Sequence, residues 1–396
     1  MALPSGWTDA EKADYLATIH GYYEQRVRIE VLTNERRVLS TIPAAVIDGQ
    51  VDCARVEVDW FSEDKSNQPI EISRYAKNIT LYDPSRAVAL DSGSPADGAL
   101  YLDRSIRIII SIRGRLRWYD VPVFTGPVTN LDREGALITL EAEGCEAFGM
   151  GAAWRTDTIR DVTKVAAFRD LMYRTGEVDE WMDVPTSKEK LVAPKVISRD
   201  TRLWDKAFYI MASMNRLCFY DGEGRLRTPA PSTEPVLEFS YGDDGLLLRE
   251  PAVNFSTENF RNHWWELTST AKGKDVEAGV PLPASHPLTP IKIGRNGKPR
   301  YLLGTETNAD LRTKAKAYER GKALLEQASS EIQVRAESRL VPHLSPFDWA
   351  LMRTKEWSMP FPIGEFSMSL VRTPTPITVG YRTNLARPAV ARIRGV

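Results

Sequence analysis

A chain of 396 residues is long enough for roughly two to three domains, and its 42% apolar and 27% charged residues, with ten tryptophans, are those of a globular protein, not a disordered or fibrous one. Its 52 basic residues nearly cancel 53 acidic ones, leaving a net charge of -1, so bulk charge makes no case for a nucleic-acid or membrane-surface binder. Cys53, Cys145 and Cys218 are odd in number and far apart; they read as buried apolar residues of a chain made in a reducing compartment.

The N-terminus, Met1 to Trp7, has neither the charged nor the apolar region of a signal peptide. The longest aliphatic runs, Ile108-Ile109-Ile110 and Leu246-Leu247-Leu248, are far short of a bilayer span, so cytoplasmic synthesis and no membrane insertion by this chain are expected. Residues 1–24 hold an N-terminal helix, marked by the capping box Thr8-Asp9-Ala10-Glu11. Tyr15, Ile19 and Tyr22 recur at helical spacing. The stripe packs either on the chain's own first domain or on a neighbouring subunit, which makes Tyr15 and Tyr22 candidate interface residues.

From residue 25 to 150 the period becomes two. Val27, Ile29 and Val31, then Val56, Val58 and Trp60, then Ile106, Ile108, Ile110 and Ile112 mark strands. Further short strands are expected at Val121 to Phe124 and Ala136 to Ala142, with turn signals at Thr125-Gly126-Pro127 and Arg133-Glu134-Gly135. Short strands with turns between them indicate an antiparallel barrel or sandwich. Gly149-Met150-Gly151 lacks the third glycine of a dinucleotide fingerprint and reads as a flexible boundary.

Residues 151–235 form an α/β insertion. One helix is expected from Asp161 to Thr175, with Val165, Phe168, Leu171 and Met172 inward and Gly176 as its stop. A second runs from Thr201 to Met214 with Leu203, Ala207, Ile210 and Met214 inward, and a hairpin follows around Asp221-Gly222-Glu223-Gly224.

Residues 236–270 and 332–385 make a second, discontinuous β-domain, with a long loop and helix, 271–331, inserted in it. An extended segment, Asn259 to Leu267, precedes a Pro/Gly-rich excursion from Ala271 to Glu306, read as a structureless loop. Asn308 caps a helix carrying Leu311, Ala315, Tyr318, Leu325 and Ala328 inward as far as Ser330. Ile332, Val334 and Ala336 alternate, Leu340 to Asp348 makes a proline-punctuated turn, and strands follow at Lys355 to Met359 and Phe366 to Leu370. Trp264 and Trp265 face opposite sides of their strand, so one of them meets another layer or another chain; both are candidate interface residues. Residues 386–396 form a basic tail in which Arg387, Arg392 and Arg394 either stand in solvent or dock on an acidic neighbour.

Chemistry leaves no comparable signature. His20, His263, His286 and His343 make no HExxH motif, and there is no nucleophile elbow or Walker loop. Asp221 and Glu223 flank a turn without making a calcium loop. Paired carboxylates on separate strands are invisible to sequence spacing. No cofactor, no metal and no catalytic residue is expected.

Two stretches resemble phage tail-hub and baseplate-hub proteins. One is Leu203-Trp204-Asp205-Lys206-Ala207-Phe208 with Met211-Ala212, Asn215-Arg216 and Tyr220-Asp221-Gly222-Glu223-Gly224-Arg225-Leu226; the other is Trp264-Trp265-Glu266-Leu267, the excursion, the helix and Val341 to Trp349. The resemblance implies a mainly β chain with α/β insertions, in which two small antiparallel β-barrels form a tube and an α/β module lies at the periphery. It implies a homotrimer meeting a distal tail or tail tube ring, a tape-measure protein, and tail fibres or other tip proteins, with DNA passing through the lumen. The site implied is the virion tail tip, assembled in the host cytoplasm. It also implies that lytic activity belongs to a partner, since only Pro374 to Val396 follow the second β-domain. A distal tail ring protein, a cell-wall-degrading enzyme and a glycan-binding component are the alternatives.

Overall fold

The computed structural model describes residues 3, 6–21, 23–55, 72–90, 99–102, 104–150, 156–191, 194–199, 202–232, 234–242, 245–255, 260–268, 276–286, 288–307, 313–328, 332–356, 358–363, 365–371 and 382–389. The readings at Val56, Val58, Trp60, Asn308 and Leu311 lie outside them. Helix α1, Asp9–Ile19, starts from a complete capping box: Glu11 N donates to Thr8 Oγ1 at 3.3 Å and Thr8 N to Glu11 Oε2 at 2.7 Å. Strands β1 Gln25–Leu32, β2 Val38–Thr41, β3 Ala45–Arg55, β4 Ile72–Tyr82, β5 Ser105–Arg113, β6 Trp118–Glu134 and β7 Leu137–Glu143 follow. Ile106, Ile108, Ile109, Ile110 and Ile112 are all buried, so β5 is covered on both faces.

The turn expected at Thr125-Gly126-Pro127 is absent, because one strand, β6, runs straight through it. Gly126 and Pro127 pair with Ile106 and Ser105 of β5, and from Val128 onward β6 pairs with β7 instead. A Cβ on Gly126 would lie 1.9 Å from the Glu143 carbonyl oxygen, so the glycine is required by close backbone approach. What reads as a turn is the point where a strand changes partner.

The α/β module comprises α2 Glu146–Met150, β8 Asp157–Ile159, α3 Lys164–Arg174, β9 Met182–Asp183, β10 Lys195–Ile197, α4 Leu203–Ala212, β11 Phe219–Tyr220 and β12 Leu226–Arg227. Thr163 caps α3, Gly176 follows it at φ 91°, and Phe168, Leu171 and Met172 pack against Trp204, Ala207 and Ile210 of α4. Gly149 is no flexible boundary. It belongs to α2 and lies so close to Trp204 that a Cβ would sit 2.9 Å from the tryptophan Cβ.

The remaining elements are β13 Pro235–Ser240, β14 Ala252–Phe255, β15 His263–Thr268, β16 Val276–Pro281, β17 Leu303–Thr307, α5 Lys314–Ala328, β18 Ile332–Arg339, β19 Trp349–Arg353, β20 Ser358–Pro362, β21 Glu365–Ser369 and β22 Arg382–Ala389. Two expectations change here. The excursion is not structureless, since β16 pairs antiparallel with β15, and β17 pairs parallel with it. Residues 386–389 are not tail but the end of β22, in which Arg387 pairs with Val334.

Strands from both ends of the chain share one eleven-stranded antiparallel sheet, ordered β14-β18-β22-β21-β3-β4-β7-β6-β5-β1-β2. The seam between the halves is β3–β21, where Phe366 pairs with Cys53 and Met368 with Val51. A single core runs beneath it, from Tyr15 and Ile29 through Val51 and Phe124 to Phe366 and Met368. The chain is mainly β, and no closed barrel forms among its described residues. The three cysteines are buried and form no disulfide, as their surroundings predicted.

Candidate functional site

The proline turn of residues 340–348 is enclosed by several elements of the chain. Leu340 to Ser345 are all buried, and the segment is bonded to three separate parts of the chain. Tyr15 Oη of α1 and His343 Nδ1 are 3.0 Å apart and hydrogen-bonded. Arg74 of β4 donates to the Leu344 carbonyl at 3.0 Å and to Val123 of β6 at 2.8 Å. Phe347 rests on Phe219 of β11, ring centroids 6.0 Å apart. Asp348 N donates to the Ser345 carbonyl, so Ser345-Pro346-Phe347-Asp348 is a type II turn with Pro346 second and Phe347 third, at φ 66°. That third position favours glycine, and a bulky residue there costs about 1–3 kcal/mol of backbone strain. Packing on the neighbouring module and the Phe347 N–H to Ile363 carbonyl bond hold it in place.

Burial governs the ionisable groups here. His343 is pushed down to about 3 by loss of solvent, so its ring is neutral, and the Tyr15 hydroxyl is pushed well above its ordinary range by the same cause. Glu146 is also fully enclosed, which raises its carboxyl to about 7.

A second enclosed charge group sits where α5 crosses the sheet β16-β15-β17. Strand alternation puts Trp264 and Glu266 on the helix side of β15 and His263 and Trp265 on the outer side. Glu266 pairs in register with Glu306 of β17, and both side chains are buried. Arg320 of α5 grips Glu306 with two bonds, Nε to Oε2 at 3.0 Å and a guanidinium NH2 to Oε1 at 3.2 Å. Both Glu266 oxygens are buried without a hydrogen-bond partner. Burial first, and the neighbouring Glu306 charge second, hold the Glu266 carboxyl far above the usual carboxylate range, which keeps it protonated. The helix comes close because small residues meet: Ala317 packs on Ala278, and Gly321 lies over Val280 and Trp264.

The inward stripe of α5 therefore differs from the expected one. Ala317, Gly321, Leu324 and Leu325 face the sheet, whereas Ala315 and Tyr318 are exposed, the latter at 43%. Where the helix comes nearest the sheet the contact is made by Ala317 and Gly321, and Tyr318 points away from it. Glu266 and Glu306 are a carboxylate pair, but α5 seals them from any substrate. No group of metal-ligating side chains forms among the described residues.

The sequence-derived candidates are scattered. Tyr15 is 0% exposed inside its own chain, packed against Trp7 and Tyr119, and offers no surface to a neighbour. Trp264 is likewise buried beneath α5, lying across Gly304. Trp265 is 37% exposed on the outer face, where His263 stacks on it at 5.8 Å and meets the edge of Tyr301 at 5.4 Å. Tyr22, Arg392 and Arg394 lie outside the described residues, and Arg387 is placed by its backbone in β22. The Glu266–Glu306–Arg320 cluster went unread, although the alternation that buries Trp264 also buries the residue two positions later.

No protein-family model matches the sequence, and no curated protein matches it. Among solved structures, a tail protein from Neisseria meningitidis MC58 is similar over 92% of this chain and 96% of that one, at 11% identity and a TM-score of 0.58. The 43 kDa tail protein of prophage MuSo2 from Shewanella oneidensis is similar over 93% and 98%, at 10% identity and 0.54. A lidless PdpA–VgrG complex is similar over 93% of this chain and 65% of that one, at 10% identity and 0.50. The fold is that of these tail proteins.

Proposed function

Taking that shared fold as the premise, we propose that the chain is a structural component of a phage tail tip, a hub that continues or closes the tail tube. The observation that carries this reading is the eleven-stranded sheet, which gathers strands from both ends of the chain and, among the described residues, keeps two free edges, β2 and β14. Sheet edges left open are places where another chain can add a strand. In this reading β1–β7 and the group β14, β18, β21 and β22 are two barrel-like tube modules, and the α/β module is peripheral. Three copies, each giving two such modules, would meet a six-fold tube ring formed by a distal tail or tube protein. Tape-measure protein and DNA would pass through the lumen, and fibres or other tip proteins would attach outside. The role is assembly without catalysis, in a virion assembled in the host cytoplasm.

Deleting the gene and imaging the particles tests this. Tails lacking a tip, or no tails at all, are expected, together with the chain itself in wild-type tails by mass spectrometry. Normal, infectious particles without it would end the proposal. Light scattering on the purified chain, alone and mixed with the tail ring, tests the trimer separately.

A further inference from the structure

The segment joining β16 to β17 carries charge of one sign. No Asp or Glu occurs between Glu277 and Glu306, whereas Lys292, Arg295, Lys298 and Arg300 do. All four are exposed. None pairs with a carboxylate among the described residues. They stand on an ordered scaffold. Arg300 N donates to the Pro290 carbonyl at 2.8 Å and closes the base of the loop, while Arg295 and Lys298 exchange backbone bonds of 3.1 and 3.0 Å at its tip. Between these two, Asn296 and Gly297 have φ of 55° and 72°, the left-handed pair that a tight hairpin turn needs.

Apolar groups accompany the charges. Ile291 is 80% exposed and Tyr301 52%, and each immediately follows one partner of the bond that closes the base. Tyr301 continues through His263 to Trp265 as one exposed aromatic row.

We propose that this loop binds an anionic phospholipid surface, with Ile291 entering the acyl boundary, the four cations meeting headgroup phosphates, and Tyr301 and Trp265 lying at headgroup level. DNA offers phosphate too, but an exposed aliphatic side chain beside the cations gains nothing along a phosphate backbone. An exposed aliphatic side chain, amphipathic aromatics and cations together match a boundary between hydrocarbon and phosphate. The inference goes beyond the tail-tip reading and does not depend on it, since it rests on the loop alone.

Flotation of the full chain with vesicles tests it, using phosphatidylcholine alone and phosphatidylcholine mixed with phosphatidylglycerol, at low and high salt. Binding is expected to the mixed vesicles and to fall with salt. Lys292→Gln, Arg295→Gln, Lys298→Gln and Arg300→Gln should each weaken it roughly fivefold. Ile291→Ser, with Ile291→Asn as a second variant, should weaken it about tenfold and leave the salt dependence unchanged. Lys188→Gln, an exposed cation on the α/β module, should change nothing. No binding to mixed vesicles, binding indifferent to Ile291, or equal losses with Lys188→Gln would overturn the proposal. So would duplex DNA held more tightly than vesicles in a gel-shift assay.

Discussion

The proline turn and the α5 lobe each enclose ionisable groups, but they settle them in opposite ways. In the turn, Arg74 spends its charge on two carbonyls and His343 is kept neutral beside Tyr15. In the lobe, Arg320 neutralises Glu306, and Glu266 beside it has no partner and keeps its proton. One region is bonded to α1, β4 and β11, whereas the other, apart from the Lys316–Glu189 ion pair, is bonded chiefly to itself. Enclosed charge thus joins distant segments in the first case and holds a local unit together in the second.

The largest expected effect breaks the first region. Arg74→Ala leaves the Leu344 and Val123 carbonyls enclosed without a donor and opens a cavity, which should cost about 3–5 kcal/mol in denaturant unfolding. Loss should be global, with slower-exchanging amides of α1, β6 and the α/β module all affected together. Arg320→Ala strands the Glu306 charge and should cost about 3 kcal/mol, but hydrogen exchange should report it in β15–β17 and α5 alone. If both variants loosen the same amides, the contrast between the regions is wrong.

Acidity sharpens the contrast further. Folding lowers His343 from 6.5 to about 3, so below about 6.5 the unfolded chain takes up a proton that the folded chain refuses. Stability conferred by the turn is therefore lost as pH falls through that window, and His343→Gln should flatten the acid limb of a melting-temperature profile. Folding raises Glu266, so above the ordinary carboxylate range the folded chain holds the extra proton and stability declines as pH rises. Glu266→Gln should stabilise the protein at pH 8 by about 1–2 kcal/mol and flatten that alkaline decline. A remainder up to about pH 7 belongs to Glu146. Smallest of all, Trp265→Ala should change folding stability by no more than about 1 kcal/mol, because its ring stands on the outer face. A larger loss would place that ring in the core of the lobe.

The elements most legible in the sequence were those whose signals are local. Thr8 capped the helix it was expected to start, and β5 followed its isoleucines. Where a residue type serves contacts distant in sequence, the local signal misled. Gly126-Pro127 looks like a turn because the same residues allow close approach at a change of partner, and Gly149 looks flexible because it makes room for Trp204. The excursion hid β16 because a six-residue strand with a glycine and a terminal proline carries little propensity of its own and is made by its pairing with β15. Bulk charge also concealed the cationic loop, since a total near zero says nothing about where each sign is gathered. The acid pair needed the register of β15 against β17, which spacing along the chain does not contain.

The seam between β3 and β21 has a consequence for biosynthesis. Strand β3 is complete by residue 55, but the strand that covers its far side begins at residue 365, so most of the chain leaves the ribosome before the partner exists. Throughout that interval β3 presents an open edge, ready to accept a strand from another nascent copy. A chain cut short before Glu365 would keep that edge permanently, and its fate would be to pair with its own kind.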